Sequence, residues 1–96
     1  MKGLLIYFDI QEGRQEEFEK AADVLISGVR ENDPSYSLYS LAKIKDSSTQ
    51  YVLVQRFESY ESQLAHQTYE YVLEAMPAMT ACLAGEPKIE WLDIVN

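Results

Sequence analysis

YVLVQRFESYESQLAHQTYEY, residues 51–71, begins as a strand and ends as a helix. Tyr51, Leu53, Gln55 and Phe57 alternate with Val52, Val54 and Arg56, the period-two pattern of a strand. After Ser59, a predicted helix N-cap, the spacing turns helical. The stretch holds the only histidine, His66, with Tyr60, Tyr69 and Tyr71 around it. Such an imidazole, on a short helix facing a strand that ends in Phe57, admits two readings. It is an acid–base group over an aromatic pocket, or a helix-end histidine bonded to a carbonyl.

The flanking segments extend this strand–helix unit. A strand is predicted over about 3–10, with Leu4, Ile6, Phe8 and Ile10 on one face and Leu5 and Tyr7 on the other. A helix follows from about Gln15 to Glu31, with Phe18, Ala22, Leu25 and Val29 as its apolar stripe. Asn32, Asp33 and Pro34 end it. The next strand, 35–44, sets Tyr36, Leu38, Ala42 and Ile44 against Tyr39 and Leu41. Asp46, Ser47 and Ser48 supply a hairpin turn into the strand over 50–58. The helical region 60–84 is expected to be broken, with a bend at Thr68, a disruption at Pro77 and a stop at Gly85. A last strand covers 87–95.

The order strand, helix, strand, strand, helix, strand predicts an α+β, ferredoxin-like βαββαβ fold over residues 1–96. Its four-stranded antiparallel sheet carries helices on one face. Every strand is apolar on both faces, whereas a sheet with one wet face alternates more cleanly. The second face, with Leu5, Leu41, Val52, Val54, Leu92 and Ile94, therefore needs another cover. A second copy of the same sheet supplies it, so a homodimer is expected.

Composition narrows the function. Ninety-six residues make one domain with a modest core. A net charge of −8 without a basic cluster argues against nucleic acid and anionic membranes as partners. The run MKGLLIYFDI is too short for a signal peptide or a membrane span and reads as a strand. Cys82 is the one cysteine, which excludes an internal disulfide, fits a reducing compartment and suggests a cytoplasmic location. No phosphate-binding glycine loop, nucleophile elbow or metal-ligand spacing is present. No metal, flavin or haem is expected to purify with the protein.

The segments together resemble the antibiotic biosynthesis monooxygenase domain, a dimeric α+β barrel, over nearly the whole chain. DPSYSLYSL at 33–41 is similar to that family's acidic-Pro-Gly-Cys segment leading to Tyr-x-Leu. YVLVQRFES at 51–59 is similar to its strand ending in Glu-x-Trp, and His66 falls where the family carries a helix histidine. Here Ser35 and Tyr36 replace Gly and Cys, Gln55 replaces Glu, Phe57 stands for Trp, and Tyr71 stands where many members have a second histidine. Ile6 and Phe57 occupy places where the haem-degrading branch needs Asn and Trp, which argues against haem degradation. The resemblance implies oxidation of a small aromatic or quinol-like molecule by dioxygen without a cofactor. His66 is then the expected base, Tyr69 or Tyr71 the donor to the developing oxyanion, and Tyr51, Leu53 and Phe57 the aromatic slot. The alternative is a non-catalytic or differently catalytic dimeric barrel that binds a small metabolite.

Overall fold

The computed structural model describes residues 1–96. The elements run β1 (Lys2–Asp9), α1 (Gln15–Asn32), β2 (Tyr36–Lys43), β3 (Gln50–Phe57), α2 (Tyr60–His66), α3 (Glu70–Thr80) and β4 (Lys88–Asp93). The sheet order is β2-β3-β1-β4, antiparallel throughout. This is the expected ferredoxin-like arrangement, with strand ends within a residue or two of the sequence boundaries. No helix is long and apolar enough to cross a membrane.

Alternation decides which side chains meet the helices. Tyr51, Leu53, Gln55 and Phe57 are buried on the inner face of β3, while Val52 and Val54 are half-buried and Arg56 is exposed on the outer face. Leu4 and Phe8 are buried on β1. Helix α1 packs Phe18, Ala22, Leu25, Ile26 and Val29 against this face. Phe18 sits between the rings of Phe8 and Tyr51, at centroid distances of 5.2 and 5.1 Å. Tilted aromatic contacts of this kind strengthen a core beyond the area they bury.

Strand β2 departs from simple alternation. A register shift between Tyr36 and Leu38 puts Tyr36 opposite Phe57 and Leu38 opposite Arg56. This β-bulge carries Tyr36 to the inner face, beside Tyr39, instead of leaving it with Leu38 as the alternation predicts. Leu41 pairs with Leu53 and packs on the core, so it too belongs to the helix-covered face and not to the uncovered one. Leu5, Val52, Val54, Leu92 and Ile94 do form the outer surface, each half-buried.

The second helical region breaks where Thr68 stands. Ser59 caps α2: its hydroxyl accepts from the Ser62 amide, and the Ser62 hydroxyl accepts in return from the Ser59 amide. Helix α2 ends at His66, and the Thr68 hydroxyl donates to the Ala65 carbonyl. Pro77 does not disrupt α3, which runs through it to Thr80. Pro77 is itself exposed, and Leu73, four residues earlier, lies on the exposed side. Water can take the carbonyl that proline leaves free, so the penalty expected inside a buried helix is reduced. The helix ends at Thr80, well before Gly85, and Ala81–Leu83 lead back to a single bridge between Leu83 and Ile10.

Candidate functional site

His66 is only 3 % exposed, and its ring nitrogens meet side chains instead of the carbonyl that a helix-end histidine would bond. Both ring nitrogens have partners: Nδ1 lies 3.2 Å from Asp33 Oδ2, and Nε2 lies 3.4 Å from the Tyr39 hydroxyl. Because a carboxylate oxygen can only accept, the neutral ring is assigned its proton on Nδ1. The Nε2 lone pair then faces the Tyr39 O–H.

The partners are fixed by backbone structure. Asp33 is the residue after α1, and its amide donates to the Val29 carbonyl. Its other oxygen, Oδ1, accepts from the amide and hydroxyl of Ser35, at 3.2 and 2.6 Å. The carboxylate is thus anchored at a helix end and turned toward the imidazole. Tyr39 enters from β2, and the bulge brings the Tyr36 ring to 4.7 Å from the His66 ring.

Burial pushes the His66 pKa below its ordinary value, and nearby Asp33 only partly restores it. The imidazole is therefore neutral at pH 7 and able to accept a proton. Burial raises the phenols of Tyr39 and Tyr36 far above the normal tyrosine range, with the negative Asp33 adding to it. Tyr39 consequently remains an O–H donor across the physiological range.

On one side His66 borders a cavity of about 340 Å³ enclosed by β1, β3, β4 and the helices. Its walls are apolar, including Leu4, Ile6, Leu53, Val72 and Met79. The polar lining comes from Tyr39, Gln55, Gln63, His66 and Gln67. Leu73, Met76, Ile89 and Trp91 also line it and are exposed, so the mouth lies between α3 and β4.

The residues singled out in the sequence are spread around this arrangement. His66 and Leu53 line the cavity. Tyr51 is buried nearer the other end of β3, where its hydroxyl donates to Glu19 at 2.5 Å. Desolvation, followed by that carboxylate, pushes its pKa up to about 12. Phe57 is fully buried and touches the site through Tyr36, 5.4 Å away between centroids. The rings of Tyr69 and Tyr71 lie 6.3 and 6.5 Å from the imidazole, but neither is among the cavity-lining residues. A Cβ on Gly28 would come within 2.8 Å of the Tyr71 ring, so the glycine in α1 lets that ring approach. Asp33 and Tyr39, the direct partners of His66, were absent from the sequence-based set. No group of three His, Cys, Asp or Glu side chains is placed to hold a metal ion.

The family model described as antibiotic biosynthesis monooxygenase matches residues 1–78. No curated protein matches the chain. Among solved structures, a candidate antibiotic biosynthesis monooxygenase from Caulobacter crescentus CB15 is 29 % identical, with a TM-score of 0.94 over 99 % of this chain and 90 % of its own. Another candidate, from Nitrosomonas europaea, is 16 % identical with a TM-score of 0.91 over all of both chains, a likeness of fold alone. The family match stops before β4, whereas these structures extend the likeness to the strand that carries Ile89 and Trp91.

Proposed function

The chain belongs to the antibiotic biosynthesis monooxygenase family, and from that premise we propose that it oxidises a small aromatic or quinol-like molecule with dioxygen, using no cofactor. The observation that carries this reading is the buried, neutral His66 on the wall of an apolar cavity, oriented by Asp33 and capped by Tyr39. A phenol or enol entering the cavity gives its proton to Nε2, directly or through Tyr39, which passes its own proton to Nε2 as it takes the substrate's. The imidazolium so formed faces Asp33 and is stabilised by it.

The anion is the species that dioxygen can attack. Dioxygen is a triplet and reacts slowly with closed-shell molecules. An electron-rich anion transfers one electron to it, and the resulting radical and superoxide combine at carbon. For an anthrone, loss of water from the peroxide leaves a ketone. One oxygen atom enters the product, the other departs as water with the two hydrogens of the oxidised methylene, and no external reductant is needed. Tyr39 is the donor best placed for the developing oxyanion. Tyr69 and Tyr71 support the imidazole from outside the cavity, Leu53 forms its floor, and Phe57 backs Tyr36. Tyr51 shapes the core beside the cavity.

Oxygen uptake with anthrone-like and dihydroxyaromatic substrates, corrected for spontaneous oxidation, tests the reading. Uptake above the protein-free rate is expected without added cofactor. Uptake no faster than that rate across the panel would instead favour a dimeric barrel that binds a small metabolite.

The same reading includes a homodimer joined through the outer sheet face. Leu5, Val52, Val54, Leu92 and Ile94 are already half-buried, so each would contribute about half of the 1.5–3 kcal/mol of a full burial, before the costs of association. Val54 lies on the outer face opposite Leu5 and Ser40. Val54→Lys is expected to give a monomer by light scattering at micromolar concentration, against a dimer for the wild type. A monomeric wild type would rule the arrangement out.

A further inference from the structure

Gln55 is 3 % exposed, yet its side-chain amide makes no hydrogen bond within the protein, and Oε1 is buried without a partner. It lines the cavity from the inner face of β3, with Leu4 and Tyr39 as its cross-strand neighbours. The other polar residues of the lining each hold at least one hydrogen-bond partner. His66 is held by Asp33 and Tyr39, and Gln67 Nε2 donates to Gln63 Oε1 at 2.5 Å. Among these lining groups Gln55 alone has a buried side-chain oxygen left without any partner.

Such a group costs stability, since an amide taken from water without compensation is penalised. A methionine of similar length would fill the same volume without that penalty. The amide is therefore understood as a contact for something that enters the cavity.

We propose that Gln55 is the specificity residue of this site, binding a second oxygen on the substrate, a hydroxyl or a carbonyl, while the ionising hydroxyl meets Tyr39 and His66. The inference rests on the oxygenase reading above and narrows its substrate class to flat, apolar ring systems with two separated oxygens. By turning about its terminal bond the amide can offer Oε1 to a hydroxyl or Nε2 to a carbonyl, so it serves the substrate both before and after a phenol becomes a ketone. A carboxylate at this position would only accept. A single-oxygen analogue would fill the cavity but leave Gln55 unpaired, and sites of this kind reject such analogues.

The test is anaerobic calorimetric titration of 1,5-dihydroxynaphthalene and 1-naphthol into the wild-type protein and into Gln55→Met and Gln55→Leu, with thermal melts of all three. The wild type is expected to prefer the dihydroxy probe by about 10-fold or more. Both variants should lose that preference, bind 1-naphthol at least as well as the wild type, and melt no lower. If the variants keep the preference, the Gln55 assignment is overturned while His66-dependent oxygen uptake is untouched. If both variants melt well below the wild type, the amide supports the fold and the assignment also fails. If neither probe binds the wild type, the cavity reading beneath it falls as well.

Discussion

His66→Ala is expected to lower the protein-dependent rate of oxygen uptake by about 10²–10⁴-fold, the usual contribution of a positioned acid–base group. The substitution removes Nε2 and leaves Tyr39 and Asp33 without the ring that joins them. The pH profile supplies a second signature. Only the neutral imidazole accepts a proton, and burial lowers its pKa below the ordinary 6.5. The wild-type rate should therefore fall as the pH drops through a value below 6.5 and level off on the alkaline side of it. That inflection should vanish in His66→Ala. Spontaneous oxidation rises with pH and must be subtracted at each point. Equal rates for variant and wild type over the whole substrate panel would remove His66 from the chemistry.

The largest loss of stability is expected from Phe18→Ala. Phe18 is fully buried and touches Phe8 on β1 and Tyr51 on β3, so it ties α1 to the two central strands. Truncation removes the ring's transfer energy and leaves a hole between two aromatic partners that the sheet holds apart. The cost should be about 3–5 kcal/mol. At about 4–8 °C per kcal/mol for a domain of this size, a thermal melt should show it plainly. A loss under about 1 kcal/mol would mean that α1 settles onto the sheet and closes the hole.

Local patterns made much of the architecture legible. Alternation in Tyr51–Phe57 identified both faces of β3, and Phe18, Ala22, Leu25 and Val29 identified the buried side of α1. Ser59 marked the start of α2, and Thr68 lies in the break that follows it. The site was less legible because its contacts are distant in sequence. Asp33 looks like a helix terminator and is one, but its bond to His66 spans 33 positions and leaves no local trace. Tyr39 was assigned the face opposite Tyr36, because alternation cannot register an inserted residue. Tyr51 and Phe57 share the inner face with Leu53, yet the cavity position depends on where α2 and α3 lie above the sheet. Pro77 was overvalued because its penalty depends on exposure, which the residue type does not reveal.

The bulge in β2 has a consequence for how such a protein can change. A regular strand sends residues three apart to opposite sides, so Tyr36 and Tyr39 could not both face the imidazole. One extra residue makes that spacing usable: the Tyr36 ring packs on His66 while the Tyr39 hydroxyl meets its nitrogen. Beyond the irregularity, the pairing from Leu38 to Lys43 continues along β3. The start of β2 is thus a local insertion point, where gaining or losing a single residue would exchange the side chain over the imidazole while the rest of the ladder keeps its partners. Across relatives, variation in length at this point would be a more economical route to new chemistry than replacement of the histidine.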